Sequence, residues 1–423
     1  EVPQGKWIYV FAADRGYGHW ARAKAYLLRD EIRGYSYFIV PVVGVETKNK
    51  IDSLIYEDPG WRMRYKNDGT IERMEKFVST RKGVEECISN ISVDELYSLS
   101  PKVLNQENER MGHEEANQRK ILVVDAHNEP ELMFPDRLGS GIEPIPDNVY
   151  KMFTLETMDF RPDELPERYK ITLERAEEII IPFPEEFYGM CVPIEQYRQY
   201  KDKLFFSGFV IEDWLRGFLT PPEDEREEKE RMKELREELG LPKENDVVFC
   251  PYGKGEGAET VLTAIGELSQ EDDYRDTIFV INYPKGEESS LKKYFSEEQF
   301  ESGKVRFCKS YGDVKKYIFS CDYLIQGLGS NTMIESLSAQ KPFIGISLER
   351  PFKEQESKGY GLTRMKLAVH MMLRDVNSEG IKEAIKELKD NQSVFRRNMK
   401  ELEGFNGAEK IARRLKELKE QSK

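Results

Sequence analysis

Short apolar runs alternate with amphipathic stretches along the first half of the chain. The first run, residues 7–13, ends at a glycine turn, residues 14–18, after which a helical pattern covers about 20–32. Further apolar runs with the length of buried strands lie at 37–45, 120–124, 149–154 and 179–182. Because strands covered on both faces are continuously apolar and alternate here with helices, this half predicts a doubly wound parallel sheet.

The same alternation restarts after a charged segment, residues 223–238, which predicts an exposed helix with ion pairs four residues apart. Its strand patterns lie at 247–250, 277–282, 305–307, 323–325 and 343–346, and two helical patterns separated near 404–407 end the chain. We therefore predict an α/β protein of two Rossmann-like domains facing a cleft. The predicted domains are 1–207 and 208–395, and a terminal helix within 396–423 packs back on the first domain.

Length and composition agree with two domains and exclude several classes of protein. A chain of 423 residues suits two domains of about 200 residues each. The net charge of −14 argues against a nucleic-acid binder, and five scattered cysteines without a CxxC pair argue against a disulfide framework or zinc knuckle. No apolar run reaches the roughly 18 residues of a membrane span and no leader pattern opens the chain, so we expect a cytoplasmic protein.

The most informative segment, residues 322–346, reads as strand, glycine turn, helix and strand. Glycines let a ligand approach the backbone, and a helix that begins there offers free N–H groups to a phosphate. Glu335, one turn along the helix, has the reach to bind the hydroxyls of a ribose; a capped helix with a surface glutamate is the alternative interpretation. The turn and first helical turn contain Gly327, Gly329, Ser330, Asn331 and Thr332.

This segment resembles the donor-binding segment of family 28 glycosyltransferases, such as the N-acetylglucosaminyltransferase of peptidoglycan synthesis, which have the GT-B architecture. The resemblance implies a UDP-sugar donor whose ribose binds Glu335 and whose hexose binds Glu354 or Gln355. It extends upstream over 305–322, where Tyr311 is assigned to the donor. A second turn, containing Gly253, Lys254 and Gly255, is similar to another glycine turn of the family, although Lys254 departs from its pattern. Lys254 either contacts the diphosphate or is one exposed lysine among many.

The first glycine turn, with Gly16 and Gly18, is followed by His19, and this order also resembles family 28. A histidine there has the chemistry of a general base for the acceptor hydroxyl, or of a group that simply binds the acceptor. Asp125, which ends a strand pattern, and Glu156 are the candidates to orient His19. Glu156 resembles a glutamate of the family, although Leu155 replaces the preceding histidine; Asp125 alternatively pairs with His127 or only caps a loop.

Together these residues predict transfer of a hexose or N-acetylhexosamine from a nucleotide diphosphate sugar to a hydroxyl of a glycan or lipid-linked acceptor. No DxD pair lies near the glycine turns, so we expect neither a metal nor a cofactor beyond the donor. The family likeness implies inversion and a role in cell-envelope glycans or glycolipids. We expect residues 44–119 to determine the specificity for the acceptor.

Other functions fit the same residues. A nucleotide-sugar hydrolase and a UDP-hexosamine 2-epimerase, for which His370 is the histidine of the second domain, are the alternative enzymes. A non-catalytic nucleotide-sugar-binding subunit is the third class. The aromatic and basic segment 61–66 fits peripheral contact with anionic lipid at the inner face of the membrane, although an ordinary amphipathic segment explains it more simply.

Overall fold

The computed structural model of the chain describes residues 8–12, 22–23, 25–27, 29, 36–39, 61–65, 71–79, 85–91, 120–125, 147–156, 167–252, 257–283, 288–308, 313–349 and 353–421. The chain divides into two units. The first unit comprises Glu1–Glu185, Pro193–Glu212 and Gly404–Lys423, and the second comprises Glu186–Val192 and Asp213–Glu403. Within the described ranges, no helix is long and apolar enough to cross a membrane.

The described strands of the first unit are β1 (Ile8–Ala12), β2 (Ser36–Ile39), β3 (Trp61–Tyr65), β4 (Ile71–Ser79), β5 (Glu85–Ile91), β6 (Lys120–Asp125), β7 (Val149–Thr154), β8 (Glu178–Ile181) and β9 (Leu204–Phe206). Six of them form a parallel sheet in the order β2-β1-β6-β7-β8-β9. The strand order reverses between β1 and β6, so this is the doubly wound sheet that the apolar runs predict.

The other three strands, β3, β4 and β5, form a separate antiparallel sheet. The sequence does not predict them, because charged and polar residues leave no continuous apolar run in these strands. The segment 61–66, considered above for contact with lipid, therefore contains strand β3.

The second unit contains β10 (Asp246–Cys250), β11 (Thr277–Ile281), β12 (Val305–Phe307), β13 (Tyr323–Gly327), β14 (Phe343–Ser347) and β15 (Val369–Met372). They form one parallel sheet in the order β12-β11-β10-β13-β14-β15, whose order reverses between β10 and β13. Five of these strands match the predicted runs. The edge strand β15 was not predicted, since it is short, half-buried and interrupted by His370.

The described α-helices, in chain order, are α1 (Glu167–Arg175), α2 (Glu185–Cys191), α3 (Ile194–Tyr197), α4 (Asp213–Leu219), α5 (Glu225–Glu238), α6 (Ala258–Leu268), α7 (Glu297–Glu301), α8 (Val314–Ser320), α9 (Ser330–Ser338), α10 (Glu354–Arg364), α11 (Ser378–Asp390), α12 (Gln392–Glu401) and α13 (Gly407–Gln421). Residues 22–23 and 25–27 are also helical. Residues 378–421 thus hold three helices rather than the two that the sequence predicts.

One apolar face of α13 completes the core of the first unit. Ala408, Ile411, Ala412 and Leu415 recur at helical spacing, and all four are buried. They belong to the same apolar cluster as residues of β1, β6 and the helical residues 23 and 25–27. The last helix of the chain is therefore part of the first unit, although the second unit precedes it in sequence.

Helix α5 corresponds to the charged segment of the sequence. Arg226 and Glu230 form the expected exposed pair four residues apart, 3.2 Å between Nε and Oε1. Two other charged residues, Glu228 and Arg236, are buried instead of solvated. The helix therefore carries buried ion pairs as well as an exposed charged face.

Candidate functional site

Two helix N-termini lie at the carboxyl edge of the second sheet. Strand β13 ends at Gly327 and α9 begins at Ser330, while β10 ends at Cys250 and α6 begins at Ala258. Because β10 and β13 are parallel neighbours, both helices begin at the same edge, where the strand order reverses. Ligands of open α/β sheets bind at such a point, and the free N–H groups and positive ends of two helices favour an anion.

The glycines between β13 and α9 differ in their surroundings. A Cβ atom on Gly327 would stand 3.1 Å from Cε2 of Tyr252, so this glycine allows the tyrosine ring to pack against the strand. Among the described residues, no atom lies within 4 Å of the place for a Cβ on Gly329, and no side chain caps the helix that follows. These residues therefore leave open space beside the backbone at the start of α9.

A buried lysine, Lys358 of α10, reaches the start of α9. Its Nζ donates a hydrogen bond of 2.9 Å to Oγ of Ser330, and the residue is only 1% exposed. A buried ammonium beside the positive end of a helix is an arrangement that an anion between them stabilises. Sequence analysis missed Lys358, although it lies one turn after Glu354 and therefore on the same side of α10.

Glu335 is buried, at 7% exposure, and pairs with Lys315 of α8. The interpretation of this residue as a surface glutamate is therefore wrong. Ile334 and Leu337 are buried on the same helix, whereas Asn331 and Thr332 are half-buried. The carboxylate thus lies one turn beyond the open start of α9 and is already held by a cation.

Glu354 and Gln355 begin α10 and are both buried. The side-chain oxygen of Gln355 accepts a hydrogen bond of 3.0 Å from the backbone N–H of Leu348, just after β14. This contact orients the amide, so that its Nε2 is the group left to donate to a ligand; no described residue accepts a hydrogen bond from it.

Ser347 and His370 form a polar pair where β14 ends. The distance between Ser347 Oγ and His370 Nε2 is 2.5 Å, and the imidazole lies 5.5 Å, edge to face, from the ring of Tyr360. A Cβ on Gly359 would stand 2.4 Å from the imidazole, so a glycine is needed for α10 to pack this closely. Burial lowers the pKa of His370, which keeps the imidazole neutral at neutral pH.

This lowered pKa predicts a pH dependence of stability. Because the pKa in the unfolded chain is higher, at about 6.5, the unfolded state binds more protons below that pH, and the free energy of unfolding falls as the pH drops. In His370→Gln, the part of this fall in the free energy of unfolding that comes from protonation of His370 should disappear. Urea unfolding at about pH 7.5 and pH 5.5 measures it; an equal loss in both proteins would contradict the assignment to His370.

In the first unit, Asp125 and Glu156 are brought together by a residue that sequence analysis did not select. Arg22 Nε and Nη2 donate to the two carboxylate oxygens of Asp125 at 2.9 and 2.5 Å, and Nη1 donates to Glu156 at 2.8 Å. Arg22 and Asp125 are 4% and 0% exposed. The signal in the sequence was the position of Arg22, three residues after His19 in the same helical pattern.

The charges of this cluster shift the pKa values of Arg22 itself and of the nearby Tyr26. Burial works to lower the pKa of Arg22, but the charges and hydrogen bonds of Asp125 and Glu156 outweigh it and raise that pKa above its ordinary value. Burial, with the nearby charge of Asp125, also raises the pKa of Tyr26. The cluster is therefore permanently ionised at the guanidinium and lies where β6 and β7 end.

Several predicted site residues fall outside the described parts of the chain, and their roles stay predictions. They are Gly16, Gly18, His19, Gly253, Lys254, Gly255 and Tyr311. The structure accordingly brings together Gly327, Gly329, Ser330 and Lys358 at one edge of the second sheet, and Asp125 and Glu156 at one edge of the first.

Comparisons with known proteins identify solved structures of similar architecture. No family model matches the chain, and no curated protein matches it in sequence. Among solved structures, Acinetobacter baumannii MurG matches with a TM-score of 0.56 and 11% identity, covering 98% of this chain and 100% of that one. CalG4, the calicheamicin glycosyltransferase, matches with a TM-score of 0.53 and 10% identity over 99% and 98% of the two chains.

A third match is S. aureus MnaA in a structure with UDP, with a TM-score of 0.52, 11% identity and coverage of 96% and 94%. At such identities the likeness concerns the fold. With its two parallel sheets, the chain has the GT-B fold.

Proposed function

We propose that this protein is a glycosyltransferase that moves a hexose or N-acetylhexosamine from a nucleotide diphosphate sugar to a hydroxyl acceptor. The observation that carries the proposal is the buried Lys358 ammonium hydrogen-bonded to Ser330 at the open start of α9. UDP is the first candidate for the nucleotide, given the resemblance to family 28 and the UDP in the similar MnaA structure.

The chemistry of transfer explains why two positive groups are useful there. Breaking the bond between sugar and phosphate leaves an additional negative charge on the diphosphate. The Lys358 ammonium and the N–H groups at the start of α9 stabilise that charge as it develops. In this scheme protein groups supply the stabilisation, so we propose that transfer does not depend on a metal ion.

The remaining donor contacts follow from the positions of two polar side chains. Glu335, one turn along α9, accepts hydrogen bonds from the ribose hydroxyls while Lys315 holds its carboxylate. Gln355 donates from Nε2 to a hydroxyl of the sugar, because Leu348 occupies its other end. Ser330, Asn331 and Thr332 donate to the diphosphate.

The residues proposed to act on the acceptor hydroxyl belong to the first unit. His19 removes the proton of the acceptor hydroxyl, and Arg22 positions Asp125 and Glu156, the groups proposed to orient the histidine. Direct attack of the hydroxyl on the anomeric carbon inverts its configuration. The acceptor is a glycan or lipid-linked hydroxyl selected by residues 44–119, and a lipid-linked acceptor would bring the protein to the membrane surface.

A donor-turnover assay tests the transferase proposal. The protein is incubated with UDP-, GDP- and dTDP-sugars, with and without EDTA and a membrane lipid extract, and all products are separated by chromatography. We expect nucleoside diphosphate to be released and the sugar to appear on an extract component, equally with EDTA. Free sugar as the sole product would indicate a hydrolase, an isomerised donor would indicate an epimerase, and binding without turnover would indicate a non-catalytic subunit.

Glu335→Gln is expected to weaken UDP binding about tenfold, because a charged acceptor of hydrogen bonds is worth about 1.5–3 kcal/mol. The loss should be smaller for dUDP, which lacks one of the two hydroxyls. Competition in a thermal-shift assay measures both affinities. The control is Glu267→Gln, an exposed carboxylate near the end of α6, and equal losses for UDP and dUDP would contradict a contact with the ribose.

A further inference from the structure

A cavity of about 410 Å³ lies in the second unit, away from the proposed donor site. Helices α5 and α12 and the segments just before β13 and β14 form its walls. Since the donor site follows these strands and the cavity precedes them, the two lie at opposite edges of the parallel sheet. Side chains that matter for its chemistry are Glu228, Met232, Asp322, Lys341 and Arg396.

Most buried charged side chains around this cavity are paired with a side chain of opposite charge. Glu228 accepts two hydrogen bonds from Nη2 of Arg396, at 2.7 and 2.6 Å. Asp322 accepts from Nη2 of Arg236 at 2.6 Å and from the backbone N–H of Val247 at 2.7 Å. The other charged residues of the wall, Glu225 and Lys229, are exposed to water.

Lys341 is the exception. It is only 4% exposed, and its Nζ contacts the sulfur of Met232 at 3.4 Å and lies 5.3 Å from the centroid of the Phe319 ring. A thioether is a weak acceptor, whereas an ammonium has three protons to donate. Among the described residues, no carboxylate forms an ion pair with this nitrogen.

A buried ammonium without a counter-charge is costly, and the protein has two ways to relieve that cost. Burial lowers the pKa of Lys341, with Cys321, Glu228 and Asp322 opposing this and the nearby Arg396 adding to it. An anion inside the cavity instead supplies the missing charge. The cavity volume lies within the range of about 300–1,000 Å³ that is usual for small-molecule sites.

We propose that this cavity binds a small oxyanion, whose phosphate or carboxylate group accepts hydrogen bonds from Lys341 Nζ. Glu228 is already paired with Arg396, and Asp322 with Arg236. Lys341 is therefore the buried positive group of the wall that can bind an anion. Lys229, the other lysine of the wall, is exposed to solvent. This site does not depend on the proposed transferase function.

Inorganic phosphate and citrate, at ionic strength held constant with chloride, are the probes. We expect a saturable rise in Tm with at least one of them for the wild-type protein and for Lys229→Met. In Lys341→Met the affinity should fall about tenfold or more. Lys358→Met, altered at the other edge of the sheet, should keep the response.

Lys341→Met without added anion should melt at the same or a higher temperature, because methionine removes the unmatched charge. In the wild-type protein, phosphate should also slow reductive methylation of Lys341 several-fold relative to Lys229, measured by peptide mass spectrometry. An unchanged affinity in Lys341→Met, a response lost only in Lys358→Met, or no saturable response and no protection in the wild-type protein would each overturn the proposal.

Discussion

Arg22→Met is expected to destabilise the first unit by about 3–5 kcal/mol, the usual cost of removing one partner of a buried ion pair. The guanidinium makes three hydrogen bonds to Asp125 and Glu156, and its removal leaves these two buried carboxylates without it. Urea unfolding followed by tryptophan fluorescence measures the loss. Three of the four tryptophans, at positions 7, 20 and 61, belong to the first unit.

A control for this measurement lies in the same unit. Lys201 and Glu185 also form an ion pair, 3.6 Å apart, but both side chains are more than half exposed. Lys201→Met should therefore cost less than about 1 kcal/mol. If the two substitutions cost the same, the buried cluster does not hold the unit together as described. Neutral replacements of the two carboxylates offer a further check, since Arg22→Met should cost less in a chain that also carries Asp125→Asn and Glu156→Gln.

Lys358→Met is expected to lower kcat about 100- to 1,000-fold, the usual effect of losing one group that stabilises charge developing in a transition state. The structure places this ammonium on Ser330, at the start of α9, where the donor diphosphate is proposed to lie. Initial rates of nucleoside diphosphate release measure the effect, and KM for the donor should change less than kcat because the leaving group gains its charge only during the reaction.

Two variants separate this role from a structural one. Arg364→Met, at the exposed end of the same helix α10, removes a hydrogen bond to the Met190 carbonyl and should leave kcat unchanged. Lys358→Arg keeps the charge and should restore part of the rate. A rate for Lys358→Met within about threefold of the wild type would show that this lysine does not act on the leaving group.

The sequence predicts most of the parallel strands because each is a continuous apolar run, as in β6 and β10, which lie buried within their sheets. It does not predict β3, β4 and β5, whose charged and polar residues remove that signal, nor β9 and β15, which are short edge strands. Local pattern therefore identifies strands that are covered on both faces and misses strands whose environment is set by other parts of the chain.

The sequence likewise predicts only part of the candidate site. The segment 322–346 predicts a strand, a glycine turn, a helix and a second strand, and the structure has these elements in that order. Lys358 and Arg22 were missed because a single lysine or arginine in a helical pattern is normally a surface residue. Burial and pairing distinguish them, and both depend on residues distant in sequence: Ser330 for Lys358, and Asp125 and Glu156 for Arg22.

Calorimetric titration of the purified protein with UDP, GDP and dTDP shows whether the start of α9 binds the diphosphate of a nucleotide. We expect one of the three to bind with a stoichiometry of one per chain, and we expect Lys358→Met to weaken this binding while Arg364→Met does not. Absence of binding by all three, or equal binding to the wild-type protein and to Lys358→Met, would contradict this expectation.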